Sequence, residues 1–136
     1  MLAVPATLAH LATLAVPLQA STVSPIAVVG LLVGFSLFLS LTAHLAARNV
    51  LGDVAVRKAL AVGPVPAIVS VLVATFDLPS LPGLFVALAL DGVLVKYVYD
   101  QPPRLAAYVT LIHFTVTVIL GVIAFGVLAL VSSAPT

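Results

Sequence analysis

Hydrophobic and polar positions divide this chain into long apolar runs separated by short polar breaks. No Asp, Glu, Lys or Arg occurs before Arg48. Within that stretch Pro17, Gln19, Ser21, Thr22, Ser24 and Pro25 form a break, leaving one apolar segment at 1–19 and another at about 26–47. Arg48-Asn49-Val50-Leu51-Gly52-Asp53 is the next polar turn. Asp77, Pro79, Ser80 and Pro82 make the one after, and Asp100-Gln101-Pro102-Pro103-Arg104 the last. The runs between these breaks predict four helices at about 26–47, 54–76, 83–99 and 105–131. At 1.5 Å per residue, runs of about 20 residues cross a hydrocarbon layer of about 30 Å.

Two places qualify this pattern. Gly63-Pro64-Val65-Pro66 interrupts the second run. Residues 64–76 alone would reach only about 20 Å, so one kinked helix is expected rather than a short interfacial helix followed by a separate span. Asp53 is placed to cap that helix and stands four residues before Arg57, the spacing of a helical ion pair. The N-terminal segment 1–20 carries Pro5 and Pro17, which make a straight full span awkward. It reads as an interfacial helix, a short fifth span, or a signal-like leader ending near Ala20-Ser21 without the usual basic start. Residues 21–136 form the four-helix domain.

Composition turns these helices into membrane spans. Of 136 residues, 63% are hydrophobic and 7% charged, and the mean hydropathy is +1.36. A soluble domain carries about 25% charged residues because its surface faces water. The expected fold is therefore an all-α integral membrane four-helix bundle in a cell membrane. Arg48, Arg57, Lys58, Lys96 and Arg104 all fall on the same side of the spans, which predicts that both termini are extracellular. Tyr97, Tyr99 and Tyr108 bracket the inner turn, where aromatic rings favour the headgroup level. A net charge of +1 with no basic patch excludes a nucleic-acid partner. The absence of cysteine removes disulfides, thiolate metal sites and thiol nucleophiles.

Few polar residues stand within the apolar runs, and they are the candidates for chemistry. Asp91 has no polar relief on either side. A carboxylate near a bilayer centre costs at least about 2.5–3.5 kcal/mol, so it must face the bundle and find a partner or a proton. His113 is that candidate partner. Asp91 lies eight residues before Tyr99 and His113 eight after Leu105, so both are about 12 Å from the same boundary on adjacent helices. Thr110, His113 and Thr117 recur at helical spacing, with Gly121 next, and give the fourth span a polar face. Such a pair either fixes helix register or relays protons.

The remaining features favour topology and packing. Arg57, Lys58, Lys96 and Arg104 form an inner-surface cluster suited to lipid headgroups, with Asp100 at i+4 from Lys96. Gly30 and Gly34 make a small-xxx-small element that permits close helix approach, and with it a homodimer seam. Ser36, Ser40, His44 and Arg48 follow as a polar stripe. The three histidines, His10, His44 and His113, are isolated from one another and the chain has no Glu. With no zinc, phosphate-loop or nucleophile-elbow motif, no metal, no cofactor and no enzymatic activity are expected.

The stretches Asp91-Gly92-Val93-Leu94-Val95-Lys96-Tyr97-Val98-Tyr99-Asp100 and Ile112-His113-Phe114-Thr115-Val116-Thr117-Val118-Ile119-Leu120-Gly121 resemble small uncharacterised multi-pass membrane proteins of halophilic archaea. That resemblance implies a cell-membrane location and assigns no activity. The favoured function is a structural or accessory membrane subunit whose partners are the lipid bilayer and a homo-oligomer or larger complex. The alternative is a small oligomeric proton or cation transporter using Asp91 and His113. A buried, mutually satisfied pair sealed by apolar side chains supports the first, and a pair facing each other beside a polar cavity or a subunit interface supports the second.

Overall fold

Proline opens two of the helical stretches, Pro25 and Pro103, at the first position, where its missing N–H would have had no helical partner. The computed structural model describes residues 24–134, and the apolar segment 1–20 lies outside them. The helices are α1 (Pro25–Leu51), α2 (Val56–Val62), α3 (Pro64–Thr75), α4 (Ser80–Val98) and α5 (Pro103–Ser133). Ser24 caps α1: its hydroxyl accepts from the Ala27 N–H at 3.2 Å.

The two tight turns share one device. Asp77 and Asp100 adopt left-handed backbone, at φ 50° and 54°. Each follows a helix whose exposed carbonyls then bend back to meet the chain. Leu78 N–H donates to Val73 O at 2.9 Å and Gln101 N–H to Lys96 O at 3.0 Å. These are Schellman closures with Asp in the place usually held by glycine, and a proline follows each.

Segments α2 and α3 run on as one helix, as the reach argument required. Gly63 between them keeps right-handed helical dihedrals, and its N–H still donates to Ala59 O at 2.9 Å. With that join, four helical stretches are long and apolar enough to cross a membrane: Pro25–Leu51, Val56–Thr75, Ser80–Val98 and Pro103–Ser133. They stand antiparallel in a ring. α1 packs on α2 and α3, these on α4, α4 on α5, and α5 closes back on α1.

The ring is tight at one end only. Ala43, Ala47, Ala59, Val62, Val95, Tyr99, Ala106 and Val109 form its core, toward the end where Arg48, Arg57, Lys58, Lys96 and Arg104 lie. We call this the basic end, and the other, at the α3–α4 turn, the Asp77 end. Beyond Gly121 every described residue of α5 is exposed. Glycine allows close approach in two places, Gly63 near the tight end and Gly83 beside the α3–α4 turn. A Cβ on Gly63 would stand 2.7 Å from the Ser40 Cα, and one on Gly83 2.5 Å from Val73 Cγ2. Gly30 and Gly34, by contrast, are exposed, and a Cβ there would meet nothing within 4 Å.

Three local expectations need correction. Asp53 does not cap α2. The cap is Ala55, without a side-chain bond, because the helix begins at Val56 and Asp53 sits in a bend too far upstream. Nor does Asp53 pair with Arg57, or Lys96 with Asp100; the Asp91–His113 contact is the one ion pair among the described residues. Asp100 has left the helix by its positive φ, so the i+4 geometry is lost, and Lys96 Nζ lies 5.1 Å above the Tyr97 ring instead. Tyr99, finally, does not join Tyr97 and Tyr108 at the surface. It is 4% exposed, against 72% for Tyr97, because it continues the buried stripe Ala87, Asp91, Val95 in steps of four.

Candidate functional site

The buried stripe of α4 delivers Asp91 to the middle of the ring, and the buried stripe of α5 delivers His113 opposite it. Asp91 is 2% exposed and His113 4%. Their depth along the hairpin matches, and His113 Nδ1 lies 2.9 Å from Asp91 Oδ2. The other ring nitrogen reaches across to α1. His113 Nε2 is 3.1 Å from the Leu39 carbonyl and 3.1 Å from Thr42 Oγ1. Thr42 itself donates to Leu39 O at 3.0 Å, and Thr117 donates to Thr42 Oγ1 at 2.9 Å. One imidazole therefore ties α4, α5 and α1 together, linking helices that do not otherwise pack on each other across the ring.

Proton accounting limits the states of this network. The Leu39 carbonyl can only accept, so Nε2 carries a proton when it faces that oxygen. One further proton then lies between Nδ1 and Oδ2. On nitrogen it makes an imidazolium–carboxylate pair, and on oxygen a neutral acid and a neutral imidazole. Both arrangements have zero net charge. If the Nε2 proton leaves, the other stays on Nδ1 and donates to Oδ2, so that no two lone pairs face each other. Nε2 then becomes an acceptor, and the Thr42 hydroxyl turns from Leu39 O to meet it. The site thus has two hydrogen-bonding patterns that differ by one proton and one hydroxyl rotation.

Asp91 Oδ1 is buried and has no hydrogen-bond partner among the described residues. Asp91 lines a partly open cavity of about 150 Å³ together with Phe35, Pro66, Ser70, Leu84, His113 and Thr117. Thr110, one turn from His113 toward the basic end, is also buried with an unpartnered hydroxyl, so it takes no part in the network. Thr117 does. Tyr99 OH is buried and unpartnered as well, with Lys58 Nζ 5.5 Å above its ring. Burial, with a smaller contribution from the Asp91 carboxylate, pushes the Tyr99 phenol above its ordinary value of 10.0.

Thr42 is the member that sequence reasoning missed. It stands apart from the stripe of Ser36, Ser40 and His44, and its partners are 71 and 75 residues away. His44 lies off the network, with Nδ1 buried and unpartnered. Arg57 and Arg104 are exposed and Lys58 and Lys96 half-buried at the basic end. No group of three or more His, Cys, Asp or Glu side chains suited to a metal ion occurs among the described residues.

A family model described as a family of unknown function (DUF7473) matches residues 22–135, a range that takes in every described helix and the whole network. No curated protein and no solved structure matches the chain.

Proposed function

This chain belongs to that family of unknown function, and from that premise we propose that it is a multi-pass cell-membrane protein with a structural or accessory role. In this reading the four apolar helices lie in the bilayer with the basic end in the cytoplasm, as the distribution of Lys and Arg favours. The exposed apolar faces meet lipid or the helices of a partner. The open strip at Gly30 and Gly34 suits close approach of a second chain.

The single observation that carries the structural reading is the reach of His113. Its two nitrogens contact α4 and α1 while its backbone belongs to α5. In lipid there is no hydrophobic drive between helices, so packing and polar contacts set their register. A three-helix contact at the ring centre is a register clamp. The join at Gly63 supports the same view, since the chain keeps helical dihedrals and the Gly63 N–H bond to Ala59 O there and does not unwind.

Purified Asp91→Asn and His113→Gln proteins test the proposal by thermal unfolding and by proton flux in liposomes. Lower thermal stability in both variants, with no flux in any protein, is the expected result. Flux in the wild type that either substitution abolishes in a folded protein would reject a purely structural role.

A further inference from the structure

We propose that the Asp91–His113 pair is also a proton-binding site, reached by water from the Asp77 end and closed toward the basic end. The inference rests on the membrane-spanning reading and goes beyond the clamp. A clamp alone requires a satisfied pair with apolar cover on all sides. Here Asp91 lines the 150 Å³ cavity and its buried Oδ1 is left without a partner. That volume holds on the order of five waters at about 30 Å³ each. Asp91, Thr117 and Ser70 line it and supply polar groups that a dry apolar void lacks.

The cavity leads in one direction. Ser70, Leu84 and Ala87 line it and also line a cleft of about 530 Å³ between α3 and α4 that extends to Asp77 and Ser80. Toward the basic end the way is blocked by Val62, Val95 and Val109 with Ala43, Ala59 and Ala106, each at most 2% exposed. On the open side the one titratable group among the described residues is Asp77, at the outer end of the cleft. The others lie on the blocked side: His44 and Arg48 on α1, Asp53 after it, Arg57 and Lys58 on α2, Lys96, Tyr97, Tyr99 and Asp100 on or after α4, and Arg104 and Tyr108 on α5. Segment α3 has none. Exchange therefore runs through the cavity. A proton from its water passes along the Thr117 and Thr42 hydroxyls, each releasing one proton as it takes another, to Nε2, while the proton on Nδ1 stays between Nδ1 and Oδ2. The reverse step returns it to water and leaves the Thr42 hydroxyl donating to Nε2.

The chain contains no cysteine, so single cysteines report water access without background. Ser70→Cys, Ala87→Cys, Val95→Cys and Val109→Cys would be made, with Leu90→Cys and Val118→Cys as lipid-facing controls. Each is reconstituted in liposomes of known orientation and treated from either side with a charged methanethiosulfonate. Thiols react as thiolates, which form in water and not in hydrocarbon. Expected is modification of residues 70 and 87 from the Asp77 side alone, with 95, 109, 90 and 118 silent. In parallel, ¹⁵N NMR of His113, assigned by its loss in His113→Gln, should show its tautomer changing with the pH on that side only.

Silence at 87 with silent controls, or an His113 signal that follows the basic-end pH, would overturn the site and leave the clamp intact. Reaction at 90 and 118 would instead overturn the membrane reading beneath it. A Cys substitution that unfolds the protein, seen by gel filtration, is replaced by Leu88→Cys, which lines the same cavity.

Discussion

His113 Nδ1 stands 2.9 Å from Asp91 Oδ2 although 22 residues separate them in the chain. The α4–α5 turn explains the meeting. Each residue lies about 12 Å along its helix from that turn, so the hairpin brings them to one depth. Their facing also requires that each helix bury the right stripe. On α4 it is Ala87, Asp91 and Val95; on α5 it is Ala106, Val109, Thr110 and His113.

Thr42→Val should destabilise the bundle while Thr42→Ser stays near wild type. Valine matches the shape but removes the hydroxyl that accepts from Thr117 and faces His113 Nε2. Interhelical hydrogen bonds in membranes contribute about 0.6–1.7 kcal/mol, so a loss of about 1–2 kcal/mol is expected. Thermal unfolding checks it, and Thr117→Val added to Thr42→Val should cost little more, because the shared bond is already gone.

Gly63→Ala should be the most damaging single methyl in the chain. The new Cβ would collide with the Ser40 side chain, its backbone N and its Cα, and backbone cannot rotate away. Overpacking of this kind costs about 1–3 kcal/mol or more. Poor recovery of folded protein, or a large drop in melting temperature, is expected. Gly30→Ala, which meets open space, should leave monomer stability unchanged.

Stability should decline above pH 10 through Tyr99. Its pKa is raised in the folded state by burial and by the Asp91 carboxylate. The unfolded chain therefore loses this proton first as pH climbs. The contribution is complete below 10 and is lost as pH rises through the folded value. Tyr99→Phe should flatten that part of the profile. It should cost little at neutral pH, since the hydroxyl has no partner among the described residues.

Asp100→Gly should hold or raise stability, and Asp100→Val should lower it by at least about 1 kcal/mol. At φ 54° a β-branched side chain is strained, Asp is tolerated and glycine is free of penalty. Chemical or thermal unfolding of the two variants gives the comparison.

The helices were legible because hydrophobic runs and proline-rich breaks coincide so closely in this chain. The pair was legible for the same reason. Depth counts from a short hairpin turn survive small errors in helix boundaries. Thr42 was not legible, because its contacts depend on how α5 returns to α1, and no local pattern encodes that rotation. Tyr99 was misplaced because tyrosine at a helix end suits both a headgroup and a core position. Only its phase with Val95 and Asp91 separates the two. Asp53 failed for a smaller reason, a helix start a few residues later than the capping pattern suggested.

The 31 residues of α5 make a rod of about 46 Å, whereas the 19 of α4 make about 28 Å. A hydrocarbon layer of about 30 Å suits the shorter helix and not the longer. In the membrane-spanning reading, α5 leans in a thin bilayer and stands up in a thick one, with its exposed end beyond Gly121 acting as a lever. His113 sits near the fulcrum, bonded to both neighbours. Lipid chain length thus becomes a mechanical input to the imidazole, and melting temperature should change between short-chain and long-chain lipids more in the wild type than in His113→Gln.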